Sequence, residues 1–188
     1  MALTKLEDGG SNLTGAIASM RLLLSATISS AASEYDIDST YINSTYDDYF
    51  VRFSFIPATD NVDLEFRVFV GGSIQTGNIY GFEIGAMSSS TYEGSNATDN
   101  GRFNVTNVGN ASGEGITGHF HMHNINNTDL PFTMMGQSTQ YNTSALPNAN
   151  HFSSHLIPAN KADVVNGIRF YFSSGDIASG SVKLYGIK

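Results

Sequence analysis

The chain's 188 residues suffice for one domain with its own core, since a chain of this length buries roughly 70% of its unfolded surface. Asp and Glu outnumber Lys and Arg 17 to 9, and the net charge of -8 argues against nucleic acid and against anionic membrane surfaces, both of which need a positive field. Cysteine is absent, which excludes disulfides, thiolate zinc sites and cysteine nucleophiles, and no apolar run approaches the ~18 residues of a membrane-inserting helix.

Residues 1–19 carry a Gly-Gly pair and little periodicity, so residues 1–30 read as an extended N-terminal arm or anchor segment. Its end, 20–30, is ambiguous. Met20, Leu22, Leu24, Ala26 and Ile28 alternate as in a strand, while Leu13, Ile17, Met20 and Leu24 are spaced for a helix face. The β-branched Thr27–Ile28 tips the reading towards strand. Residues 31–48 read as loop plus a short strand carrying Tyr35 and Ile37.

The strongest signal is Tyr46–Gly72. Tyr49, Val51, Phe53 and Phe55 fall on one face and Phe50, Arg52 and Ser54 on the other. After the break PATDN, Val62, Leu64, Phe66, Val68 and Val70 point inward, with Asp63, Glu65 and Arg67 outward. A sustained period of two predicts two strands, read as a hairpin. Residues 78–86 alternate again through Tyr80, Phe82 and Ile84; 87–100 read as a polar loop, and 101–108 offer Phe103 and Val105. Strand patterns recur at 115–125 and 131–136, followed by a loop at 137–150 and a short strand at 151–158. Val164–Ser173 and Ser181–Ile187 close the chain as a second hairpin. About ten strands and no helix predict an all-β, antiparallel β-sandwich, jelly-roll-like, spanning 31–188.

Candidate chemistry is sparse. His119, His121 and His123 share one face of a strand, and such a face could ligate a metal if three chains placed it around an axis. The simpler reading sends Phe120 and Met122 inward and leaves the histidines on an ordinary surface, so no metal and no cofactor are expected. Asp36 with Asp38, and Asp47 with Asp48, read as turn-forming residues rather than an acid–base pair. No G-x-S-x-G, P-loop or G-x-G-x-x-G occurs, and no catalytic residues are assigned. Tyr92, Tyr141, Tyr171 and Tyr185 read as exposed, suited to a subunit interface or edge packing or, for Tyr92 and Tyr141, to facing a ligand such as a sugar from loops.

Two segments carry a resemblance. INSTYDDYFVRFSFIPATDNVDLEFRVFVGGS, Ile42–Ser73, and VNGIRFYFSSGDIASGSVKLYGIK, Val165–Lys188, resemble structural proteins of tailed, marine-type bacteriophages. The resemblance implies a non-enzymatic virion protein displayed on the particle exterior, as a tail-fibre, tail-tip or capsid-decoration module contributing to host attachment. It implies assembly in the bacterial host cytoplasm, other capsid or tail proteins as partners, and several copies per particle. A closed homo-oligomer, with a trimer favoured, would also hide the edge strands. A host surface glycan is a further expected partner. The alternative reading is a carbohydrate-binding module with a groove lined by Tyr and Asn.

Overall fold

The computed structural model describes residues 20–86, 91–142, 144, 146–160 and 162–188. The expected arm over residues 1–19 lies outside them. The described chain is all-β, with two antiparallel sheets and a single short 3-10 turn at Pro158–Asn160. No described helix is long and apolar enough to cross a membrane.

Among the described residues thirteen strands form, where the pattern predicted about ten. They are β1 (Met20–Ile28), β2 (Tyr35–Ile37), β3 (Asp48–Pro57), β4 (Leu64–Val70), β5 (Ser73–Ile74), β6 (Tyr80–Ala86) and β7 (Thr91–Thr98). There follow β8 (Gly101–Arg102), β9 (Gly115–His123), β10 (Thr133–Tyr141), β11 (Pro147–Leu156), β12 (Val165–Phe172) and β13 (Ile177–Ile187). The larger sheet has the order β1-β13-β3-β9-β10-β11-β6-β7; the smaller has β2-β12-β4-β5, with β8 beside β4.

The in/out alternation holds at nearly every predicted position. Tyr49, Val51, Phe53 and Phe55 are buried, as are Leu64, Phe66 and Val68, and Ile168, Phe170 and Phe172. Pairing departs from expectation. β3 and β4 are not a hairpin: β3 lies between β13 and β9 in the eight-stranded sheet, while β4 pairs with β12 in the other. β12 and β13 likewise sit in different sheets. Each segment is an arch that crosses the core, and the two arches lie side by side. Period-two alternation specifies which side chains face inward, and an arch satisfies that as well as a hairpin does.

Residues 20–28, expected as the end of the arm, are the edge strand of the eight-stranded sheet and pair with β13 along their length. The ambiguity between helix and strand resolves to strand.

Phe103 sits at the centre of the core, fully buried, with ring centroids 5.1–5.8 Å from Phe53, Phe66, Phe120, Phe152 and Phe170. Buried aromatics of this size dominate the apolar area removed from water. Tyr80 ties the sheets together: its hydroxyl accepts from Val68 N at 3.0 Å and donates to Gln75 O at 2.9 Å. Burial pushes its phenol up to about 12, so it stays a donor at any ordinary pH.

Two expected loops are strands. Thr91–Thr98 forms β7 within the predicted loop 87–100, and the predicted loop 137–150 contains the facing ends of β10 and β11. In the second case the period of two is present but written in polar residues. Ser138, Gln140, Asn148 and Asn150 occupy inward positions and are buried. Asn150 Nδ2 donates to Gln140 Oε1 and to Ser138 Oγ, Gln140 Nε2 donates to Thr106 O at 2.9 Å, and Ser138 Oγ donates to Phe103 O at 2.6 Å. Burial of Ser138, Gln140 and the Asn150 amide nitrogen is tolerated because they bond to one another and to backbone, while Asn150 Oδ1 is buried without a partner among the described residues.

Candidate functional site

The outer face of the eight-stranded sheet collects most of the chemistry-bearing side chains. β9 turns Phe120 and Met122 into the core, fully buried, and His119, His121 and His123 outward, as the simpler sequence reading expected. Successive pairings then align Lys183, Arg52, His119, Gln137, His151 and Gly85 in one row across six strands, ending on Tyr92 of β7. The adjacent row holds Tyr185, Phe50, His121, Met135, Ser153 and Glu83.

Two depressions on this face form a groove. The larger, of about 780 Å³, runs from His119 and His121 to Tyr92, with Met135, Gln137, His151 and Glu83 around it. The smaller, of about 410 Å³, lies over Arg52, Thr117, Thr139, Ser181 and Lys183. Both are lined by His119 and Gln137, so they are continuous. Tyr92 is 83% exposed and Met135 54%. A Cβ on Gly85 would stand 3.0 Å from the Tyr92 ring, so the ring lies over that glycine as a platform at the end of the groove. Gln137 Nε2 donates to His151 Nδ1 across 3.2 Å.

The three sequence-predicted histidines adjoin one another along β9 but do not converge. His121 and His123 stack at 5.8 Å and 8°, and the Phe50 ring packs 4.8 Å from His121 and 5.7 Å from His119. Asp48 of β3 reaches His123, with Oδ1 3.2 Å from Nδ1, a carboxylate partner that the segment itself does not contain. Among the described residues no three His, Asp or Glu side chains come together in a way that could hold a metal ion. His121 is pushed below its ordinary value by burial, then by the neighbouring His123 and His119, with Asp48 opposing.

Tyr92 and Tyr141 do not share a site. Tyr92 sits on an edge strand rather than in a loop, at one end of the groove; Tyr141 ends β10 beside a third, smaller depression with Ile56 and Glu114, which adjoins the Arg52 end through Ser54, Thr117 and Thr139. They are placed apart because Tyr141 lies four residues along β10 from Gln137, about 13 Å at strand rise. Tyr185 packs against Phe50 at 6.0 Å. Tyr171 is on the other sheet, under the Arg67 guanidinium at 5.3 Å. Asp36 is bound bidentately by Arg169 and Asp38 accepts from Thr40 N, so that carboxylate pair is structural.

The outer face of the five-stranded sheet is of another kind. Arg169 bridges Glu34 and Asp36 at 2.7 Å each, Arg67 bonds Asp99 at 2.7 Å, and Arg102 joins Asp63 and Glu93. Asp63 also accepts from Asn104 Nδ2 at 2.8 Å, and Asn104 Oδ1 accepts from Leu64 N. Burial pushes the Glu65 carboxyl up, opposed by the neighbouring Tyr171 hydroxyl and by the charge of Arg102.

No protein-family model matches the chain, and no curated protein or solved structure matches it either. The groove's other residues, Arg52, Glu83, Met135, Gln137, His151 and Lys183, were not singled out by the sequence. Alternation marks Arg52 and Lys183 as outward, but which strands become neighbours is a property of the sheet order.

Proposed function

We propose that this chain is a non-enzymatic virion structural protein, displayed on the exterior of a tailed bacteriophage particle as a tail-fibre, tail-tip or capsid-decoration module. The observation that carries the reading is where the two resembling segments fall. Ile42–Ser73 and Val165–Lys188 supply β3 and β13, paired in one sheet, and β4 and β12, paired in the other. A resemblance confined to central strands is what a shared scaffold with variable connections produces. Multiple copies are supported by the edge of the larger sheet. Among the described residues β1 has one open side, and Met20 and Leu22 of this strand are 47% and 50% exposed, an arrangement suited to burial against another copy.

Immunogold labelling of intact particles with antibody to the purified chain tests the placement. Gold on heads or tails supports it and distinguishes capsid from tail. Particles that stay unlabelled, while the chain is abundant in the same lysate, would remove it. Native mass spectrometry of the full chain checks the oligomer, with a trimer mass expected and a monomer at every concentration counting against it.

A further inference from the structure

We propose that the outer face of the eight-stranded sheet binds an acidic oligosaccharide laid across the strands, its anionic group between Arg52 and Lys183 and a sugar ring on Tyr92. The inference does not depend on where the chain sits in a particle.

The cationic end carries the ligand's charge. Arg52 and Lys183 are directly opposite one another on β3 and β13, both exposed. Like charges in that position destabilise a sheet. In a chain of net charge -8 there is no shortage of carboxylates, and Arg67, Arg102 and Arg169 each hold one or more. Among the described residues Arg52 and Lys183 hold none. Among the described residues the nearest acids on the same face are Asp48, four residues along β3 and engaged by His123, and Glu83, four strands away. At strand rise and spacing these are about 13 and 19 Å off, beyond the ~8 Å over which charge is felt at physiological salt. An anion between the two cations relieves their repulsion.

The rest of the row suits a sugar chain. Beyond Arg52 come His119, Gln137 and His151, which offer hydrogen bonds to hydroxyls, and then the exposed Tyr92 ring on Gly85, a flat apolar platform for the face of a pyranose. Glu83 beside that end accepts from hydroxyls and repels a second anion there, so the anionic unit is directed to the Arg52 end. From β3 to β7 the row spans five strand spacings, roughly 24 Å, the reach of an oligosaccharide rather than a single sugar.

The test is calorimetric titration of the full chain at physiological salt with three hexasaccharides: an oligogalacturonate, a heparin-type sulfated oligomer and an uncharged glucan. At least one acidic hexamer is expected to bind at least about tenfold more tightly than the glucan, the arms separating carboxylate from sulfate. Arg52→Gln with Lys183→Gln is expected to abolish that preference, and Tyr92→Ala to weaken the acidic ligand by about tenfold. Gly85→Ala, whose Cβ would crowd the Tyr92 ring, should give a partial loss. All four positions lie on the outer face, and far-UV spectra that superimpose on that of the unsubstituted chain verify the fold. The proposal is overturned by silence of both acidic hexamers, by a glucan that binds equally well, or by acidic binding that ignores Tyr92→Ala.

Discussion

The two outer faces of the sandwich use charge in opposite ways. On the five-stranded sheet every arginine is held by a carboxylate, two of them by two, and the network ties Arg102 of the smaller sheet to Glu93 on the edge of the larger. Its arginines already have carboxylate partners, although the buried Arg102 Nε and Tyr171 hydroxyl have no hydrogen-bond partner among the described residues, so an anionic ligand there would first have to break existing ion pairs. On the eight-stranded sheet two cations face each other, an exposed tyrosine and methionine flank a groove, and His119, Gln137 and His151 point to solvent. Folding pairs the cations of the first face; it leaves Arg52 and Lys183 of the second without a carboxylate among the described residues. Surface chemistry that a fold does not consume is where a partner can be recognised.

The contrast predicts that stability is sensitive on the first face and insensitive on the second. The largest effect is expected from Asp63→Ala, which strips Arg102 and Asn104 of a partly buried partner. A loss of about 2–4 kcal/mol in chemical denaturation is expected, somewhat below the cost of breaking a fully buried pair because both side chains keep about a fifth of their surface in water. A variant as stable as wild type would show that the network is ornamental. Arg169→Ala removes a bidentate pair that is more open on the acid side and should cost about 1–2 kcal/mol, read from the same curves.

Lys183→Glu sharpens the comparison from the other side. It turns a like-charged pair with Arg52 into an attractive one, and the thermal midpoint should rise by the equivalent of roughly 0.2–1 kcal/mol. The same substitution should eliminate acidic-ligand binding, so stability and recognition move in opposite directions. A fall in the midpoint would contradict the idea that this pair is strained without a ligand.

The smallest effect is a pH dependence on the histidine face. His121 has its folded value depressed, so the protonated form is disfavoured in the native state. Its contribution is present above the ordinary value of 6.5 and is lost as pH falls through the lower folded one. Midpoints recorded from pH 7.5 to 5 should decline slightly more for wild type than for His121→Asn. Equal slopes would mean that the neighbouring histidines and Asp48 cancel the effect.

Much of the scaffold was legible because burial follows a local rule. A strand with one wet face must place apolar side chains at every second position, and Tyr49 to Phe55, Leu64 to Val68, Ile168 to Phe172 and Phe120 with Met122 obey it. The rule failed where its letters changed. The inner positions of β10 and β11 hold Ser, Gln and Asn, whose burial depends on partners contributed from Phe103 and Thr106 some thirty residues away. β7 was missed for a related reason: an edge strand is held by backbone bonds to one neighbour and needs little apolar alternation.

The candidate site was legible only in fragments. Sequence alone settled that the three histidines, Arg52 and Lys183 point outward, since alternation is decided within each strand. It could not bring Arg52 beside Lys183, nor set Tyr92 over Gly85 at the far end of the same row. Those juxtapositions follow from the order of strands in the sheet, in which β13 and β3 are neighbours although Arg52 and Lys183 are 131 positions apart, as their numbers show. Strand order is chosen by the packing of the whole core, because a period of two specifies a face and leaves the neighbour open.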